Sequence, residues 1–171
     1  MKSIINTVLL PLLFLMLFNS CGEKTVAQSY QHATIKFTGE FPNPFELSME
    51  DLKSMPQSEV PGKDKDEKIH RFQGVFLIDL LKKGGLEFGT GLKGKNQAQY
   101  LLVEAADGYK VIFSLPEIDP EFSGKQIIVA HSRDGIALEE GVGPFRFVVP
   151  EEKLHARWIR EVVAIKLIKV E

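Results

Sequence analysis

The chain has 171 residues, of which 44% are hydrophobic, and 21 Lys and Arg stand against 23 Asp and Glu for a formal net charge of −2. This composition is ordinary for a folded domain, and the length suggests a single one. Nucleic-acid-binding domains usually carry clustered positive charge, so we expect no nucleic-acid partner. The four histidines show no metal-ligand spacing; they are His32, His70, His131 and His155.

The N-terminal segment predicts export. Within residues 1–20, the positive charge of Lys2 is followed by a long uncharged, mainly apolar run, which is typical of a secretory signal peptide. The single cysteine, Cys21, follows directly in "LFNSC", which resembles a bacterial lipoprotein box. We therefore expect a lipid on Cys21 and a membrane-anchored protein on the periplasmic or surface side of a bacterial cell envelope. The alternatives are an ordinary cleaved signal that leaves a free thiol, or an uncleaved anchor helix.

The first half of the remaining chain predicts short strands and helices. After a polar, lipidated tether over 21–31, a domain over 32–171 opens with an alternating strand at 32–39. Ser48 and Asp51 form a capping-box pattern that predicts a helix over 49–55. The charged run "PGKDKDEK" at 61–68 predicts a solvated loop. A strand is expected at 69–74 and a helix at 75–86, which Gly84 and Gly85 end.

The second half predicts mainly strands. Residues 99–115 read as a hairpin around Asp107-Gly108, a dipeptide that favours a type I′ turn. A strand at 126–132 precedes a second Asp-Gly pair at 134–135, and a last strand is expected at 162–170. Between them lies "GVGPFRFVVP" at 141–150, an apolar strand-like run with one cation, Arg146. About six strands and two or three short helices, without a strand–helix–strand rhythm, indicate an α+β, mainly β domain.

The order of several motifs resembles a known family. The segments "LSMEDLKSMP", "FQGVFLIDLLKKGGL", "ADGYKVIFSLPEI", "IIVAHSRDGIAL" and "GPFRFVVPEEKLHARWIREVVAIKLI" follow one another as in the oxidoreductase molybdopterin-binding domain, the sulfite-oxidase-type fold. The resemblance runs from Phe41 to Val170. It implies that fold, with molybdopterin as its cofactor.

The resemblance also implies functional positions, and this chain departs from two of them. Arg146 and Arg157 fall where the family holds the pterin and its phosphate, a role that suits the guanidinium fork. Active members supply a metal-binding thiolate between the first helix and "FQGV", but this chain has no cysteine there, and Gly141 replaces a family histidine. His70 and Arg71 lie near the missing thiolate, so we include both as candidate cofactor-binding residues.

Three functions follow from these departures. The first is a non-catalytic module that binds a small anionic ligand or an envelope partner protein, without catalytic residues, metal or cofactor. The alternative is a molybdopterin-dependent oxidoreductase that binds its cofactor without a cysteine ligand. The third is a plain structural or interaction module whose cleft is filled in. Arg146 and Arg157 also have a simpler interpretation, as cations paired with acids of their own surroundings, namely Glu139, Glu140, Glu151 or Glu161.

Overall fold

The computed structural model describes Tyr30 and residues 32–170. The predicted signal peptide over 1–20, the lipid attachment at Cys21 and all of the tether except Tyr30 lie outside these residues. Within them, no helix is long and apolar enough to cross a membrane.

The first sheet has five strands. They are β1 (Thr34–Gly39), β2 (Phe45–Ser48), β5 (Gln99–Ala105), β6 (Lys110–Ser114) and β10 (Val162–Lys169). Their order across the sheet is β2-β1-β10-β5-β6, so the last strand of the chain lies at the centre. The β1–β10 pair is parallel, and the other neighbours are antiparallel.

The second sheet carries three of the candidate residues, Arg146, His70 and Arg71. Its strands are β3 (Ser58–Lys63), β4 (Ile69–Phe76), β7 (Ile128–Arg133), β8 (Ile136–Ala137) and β9 (Arg146–Val148). The order is β3-β4-β7-β8, and β9 also pairs with β7, with Arg146 opposite Ala130. The described residues thus hold ten strands rather than about six, because β2 and β8 have only four and two residues, and the alternation of β3 lies in a stretch dense in charged residues.

Three short α-helices connect the strands: α1 (Met49–Ser54), α2 (Leu77–Lys83) and α3 (Leu115–Ile118). The predicted capping box is present, since the Ser48 hydroxyl accepts from the Asp51 N–H and the Asp51 carboxylate accepts from the Ser48 N–H. The second helix begins at Leu77 rather than at residue 75. Val75 and Phe76 still belong to β4, where pairing with β7 outweighs their place in a helical stripe.

A single hydrophobic core joins the two sheets. Buried residues of both sheets point into it, including Phe37, Val103 and Ile165 of the first sheet and Phe72 and Val129 of the second, all fully buried. Gly74 of β4 lies so close to β7 that a Cβ would stand 2.0 Å from the Val129 carbonyl oxygen. This close approach requires glycine.

The two Asp-Gly pairs form different turns. At Asp107-Gly108 only Gly108 of the two has a positive φ, +85°, so the predicted hairpin is present but its turn is not type I′. Asp134 and Gly135 both have positive φ, +52° and +77°, and join β7 directly to β8. The type I′ geometry therefore occurs at the second pair.

Candidate functional site

The guanidinium group of Arg146 is buried and already binds an anion. The residue is 1% exposed, and its two terminal nitrogens donate to the two carboxylate oxygens of Asp64 at 2.8 Å each. This is the bidentate fork that arginine forms with planar anions. The anion that Arg146 holds is thus a side chain of the same protein.

Further groups hold the same carboxylate. Arg133 donates to Asp64 Oδ2 at 3.2 Å, and the Lys65 N–H donates to Asp64 Oδ1 at 2.8 Å. The hydrogen bonds from Arg146, above all, keep the pKa of Asp64 well below its usual range. Asp64 is therefore ionised although it is only 3% exposed.

Aromatic rings enclose the Arg146 guanidinium from the sides. Its central carbon lies 5.3 Å from the ring centre of Phe72 and 5.3 Å from that of Trp158. Both distances suit a cation–π contact, which gains strength where water is excluded. Trp158 is itself held by a hydrogen bond from its indole N–H to the Val149 carbonyl at 2.9 Å. Of the three guanidinium nitrogens of Arg146, Nε is the one without a hydrogen-bond partner among the described residues.

Strand alternation brings Asp64 to this site. Val60 and Gly62 of β3 are buried, and Asp64 is the next residue on the same face, just after the strand ends. Gly62 is required here because a Cβ would lie 2.6 Å from the Trp158 ring. The turn after β3 closes with a hydrogen bond from the Asp64 N–H to the Lys68 carbonyl at 3.0 Å.

This geometry corrects the prediction of a solvated loop over 61–68. Residues up to Lys63 belong to β3, and the buried Asp64 is part of the site. The partner of Arg146 is therefore not any of the four glutamates suggested by the sequence. The alternation of Val60, Gly62 and Asp64 on one face does indicate a strand that leads to Asp64. The dense run of charged residues around Asp64 indicates a solvated loop instead, and that pattern determined the prediction.

Arg157 binds a different set of carboxylates. Its terminal nitrogens donate to Glu117 at 3.1 Å and to Glu152, and Nη1 also donates to the Ile112 carbonyl at 3.1 Å. Its guanidinium lies 4.5 Å from the Phe113 ring centre. Among the described residues, Arg146 and Arg157 share no hydrogen-bond partner.

His70 is held between two carboxylates. Nδ1 lies 2.5 Å from Asp134 Oδ2, and Nε2 lies 3.0 Å from Asp66 Oδ2, which raises the pKa of His70 above its usual value. Both ring nitrogens are thus engaged. The neighbouring Arg71 points into solvent, with its side chain 74% exposed and paired with Glu59. No group of three or more potential metal ligands occurs in the part of the chain that the structure describes.

A cleft of about 330 Å³ lies beside Trp158, and we call it the Trp158 cleft. Its walls include Lys65, Tyr109, Gly141, His155 and Arg160. Of the five arginines, four form salt bridges; within the described residues Arg160 forms none. The sequence did not single out Lys65 or Arg160, since both lie in stretches of mixed charge.

Comparisons with known proteins identify the fold. A scan against protein-family models finds no match, and a search of curated proteins finds none. Among solved structures, the sulfane dehydrogenase SoxCD from Paracoccus pantotrophus is similar, with a TM-score of 0.64 and 18% sequence identity over 81% of this chain. The match covers 38% of that chain. The predicted mainly β, sulfite-oxidase-type fold with a few short helices is confirmed.

The arginines of this chain do not fit the phosphate group that the fold family implies. Both terminal nitrogens of Arg146 bind Asp64, and those of Arg157 bind Glu117 and Glu152. An incoming phosphate would meet these carboxylates instead of free hydrogen-bond donors, and the negative charges of phosphate and carboxylate repel each other at contact distance. Cofactor binding by Arg146, Arg157, His70 and Arg71 stays a prediction.

Proposed function

We propose that this domain is a non-catalytic binding module built on the sulfite-oxidase-type fold. The pairing of Arg146 with Asp64 is the observation that carries the proposal. It fills the position where the family resemblance implies a pterin phosphate with a carboxylate of the chain itself. Fold similarity alone does not transfer an activity, so the contents of the site decide the proposal.

The Trp158 cleft is the binding site in this proposal. Its volume of about 330 Å³ lies within the range of small-molecule sites. Lys65 and Arg160 supply positive charge, and Tyr109 and Trp158 supply ring surface. Asp107 and Glu161 line the same cleft, so the anionic group of a ligand would have to contact Lys65 or Arg160 and avoid these carboxylates. A small ligand with one anionic end meets these conditions; an envelope partner protein with an exposed carboxylate is the other binder of this class.

We also propose that the module acts at a membrane of the bacterial cell envelope. The support comes from the signal-like residues 1–20 and from Cys21 directly after them. Mass spectrometry of membrane-extracted protein should find Cys21 as the first residue, with a diacylglyceryl modification. A free Cys21 thiol, or cleavage at another position, would contradict the anchor without affecting the proposal for the domain.

The second candidate function is a molybdopterin-dependent oxidoreductase without a cysteine ligand. The similarity to a sulfane dehydrogenase favours it, although the match covers only 38% of the chain compared. In this alternative, Asp64 would have to release Arg146 before a cofactor phosphate could bind. Separating a buried, hydrogen-bonded ion pair is costly, which is why we prefer the first function.

One experiment separates the two functions. The full chain is produced in a bacterium that makes molybdopterin, alongside an active family member as the positive control, and both are assayed for molybdenum and extractable pterin. We expect neither component in this protein, while the control carries both. Molybdenum or pterin at close to one equivalent per chain would overturn the proposal.

A further inference from the structure

The carboxylate of Asp64 is held in the way that a binding protein holds a separate ligand. Four donors converge on its two oxygens: two from Arg146, one from Arg133 and the Lys65 N–H. The turn after β3 supplies the anion, whereas β7 and β9 of the same sheet supply the guanidinium groups. The anion and the two guanidinium groups that bind it therefore belong to different parts of the fold.

The two guanidinium groups are held in place without Asp64. Arg146 is fixed by the pairing of β9 with β7, opposite Ala130, and its guanidinium lies against Phe72 and Trp158. Arg133 ends β7 and also lies 3.8 Å from Glu139. Shortening the Asp64 side chain therefore removes the anion but leaves the groups that surround it.

We propose that Asp64 is the resident anion of an oxoanion site formed by Arg146 and Arg133, and that this site takes a small carboxylate from solution once the Asp64 side chain is shortened. A buried guanidinium without a counter-ion is unfavourable. An anion of the right size would therefore bind with the hydrogen bonds and the charge attraction that Asp64 supplies in the wild type. Arg133 has a side chain that is 35% exposed, which places one edge of the site at the surface. In the wild-type protein the tethered carboxylate outcompetes free anions because it is always present at the site.

The size of the vacated space identifies the ligand. Asp64→Ala removes only the carboxylate group, which formate replaces atom for atom. Asp64→Gly removes the methylene as well, and acetate then has the matching size. Two variants with opposite preferences for two chemically similar anions test the site itself, because general salt effects do not reverse between variants.

The test is thermal unfolding of the folded domain in sodium formate, acetate or chloride at equal ionic strength and pH 7. In chloride, Asp64→Ala should unfold about 10 °C below the wild type. Formate at about ten times its dissociation constant should raise the midpoint of Asp64→Ala by about 4 °C, and acetate should raise it less. For Asp64→Gly the order of the two anions should reverse.

Asp66→Ala is the matched control, since Asp66 lies on the same turn but pairs with His70. The unfolding midpoint of Asp66→Ala should respond to formate no more than that of the wild type does.

Equal shifts of the midpoint in the wild type and in Asp64→Ala would overturn the proposal, as would no preference between formate and acetate in either Asp64 variant. Should Asp64→Ala not fold in chloride, refolding yield in formate provides the comparison. The double variant Asp64→Ala/Arg146→Met should then refold in both formate and chloride. If the double variant refolds but Asp64→Ala refolds in neither salt, the site is also refuted.

The proposal shares the Arg146–Asp64 pair with the proposed function, but the two can fail separately. Bound molybdenum would refute the non-catalytic function and leave the anion test to be decided by the unfolding midpoints. An absent formate effect in a protein free of molybdenum would refute only the oxoanion site.

Discussion

Replacing Arg146 with methionine should destabilise the domain by about 3–5 kcal/mol at pH 7, because it leaves a buried carboxylate without its main partner. Asp64 would keep only the Arg133 bond at 3.2 Å and the Lys65 N–H. Methionine is long, flexible and apolar, so it can still pack between Phe72 and Trp158. The loss of stability then reports the ion pair more than an empty space.

The pH dependence of this loss has a definite sign. In the wild type the pKa of Asp64 is lowered, so its stabilising contribution is present above the unfolded pKa of about 3.9 and is lost only as the pH falls through the lower folded value. In Arg146→Met the folded pKa of Asp64 rises, and protonation relieves the buried charge at a higher pH. The difference in unfolding free energy between the two proteins should therefore narrow from pH 7 towards pH 4.

Urea unfolding followed by circular dichroism at pH 7, 5 and 4 measures both effects. A double-mutant cycle with Asp64→Asn should give a coupling energy of about 1–3 kcal/mol. A loss below about 1 kcal/mol, typical of an exposed pair, would refute the reasoning, as would strictly additive effects of the two substitutions.

Two further outcomes test other parts of the fold. An NMR titration should give His70 a pKa above its ordinary value of about 6.5, and Asp134→Asn should lower that pKa. Because the pKa of His70 is raised in the folded protein, its contribution to stability is complete below the unfolded pKa and is lost as the pH rises through the folded pKa. His70→Gln should therefore destabilise the domain more at pH 6 than at pH 9. Gly74→Ala should lower the unfolding free energy by at least about 2 kcal/mol, since the new Cβ would collide with the Val129 carbonyl, whereas Gly124→Ala, with open space around it, should change it by less than about 0.5 kcal/mol. A small effect of Gly74→Ala would mean that β4 and β7 can separate without cost.

Local patterns in the sequence predicted the elements whose signals are local. The Ser48–Asp51 capping box, the 99–115 hairpin and the central last strand need only a few neighbouring residues to specify them. The end of β4 was harder, because Val75 and Phe76 fit both a helical stripe and a strand. Their pairing with β7, which is more than fifty residues away in the chain, decides between the two.

The chemistry of the site depends on a contact that no local pattern contains. Asp64 and Arg146 are separated by 82 residues, and only the placement of β3 and β9 in one sheet brings them together. The sequence did indicate that Arg146 needs an anion, because it is a permanent cation within an apolar strand. Which anion it binds became clear only from the three-dimensional arrangement.

The contact between Arg157 and the backbone of β6 has a consequence for solubility. Strand β6 is the last strand on its side of the sheet, so its outward carbonyl groups are open to pairing with a strand from another molecule. The bond from Arg157 to the Ile112 carbonyl occupies one of these acceptors in the middle of the strand. Loss of Arg157 would free this acceptor, and we expect it to ease strand addition at this edge even if the fold itself stays intact.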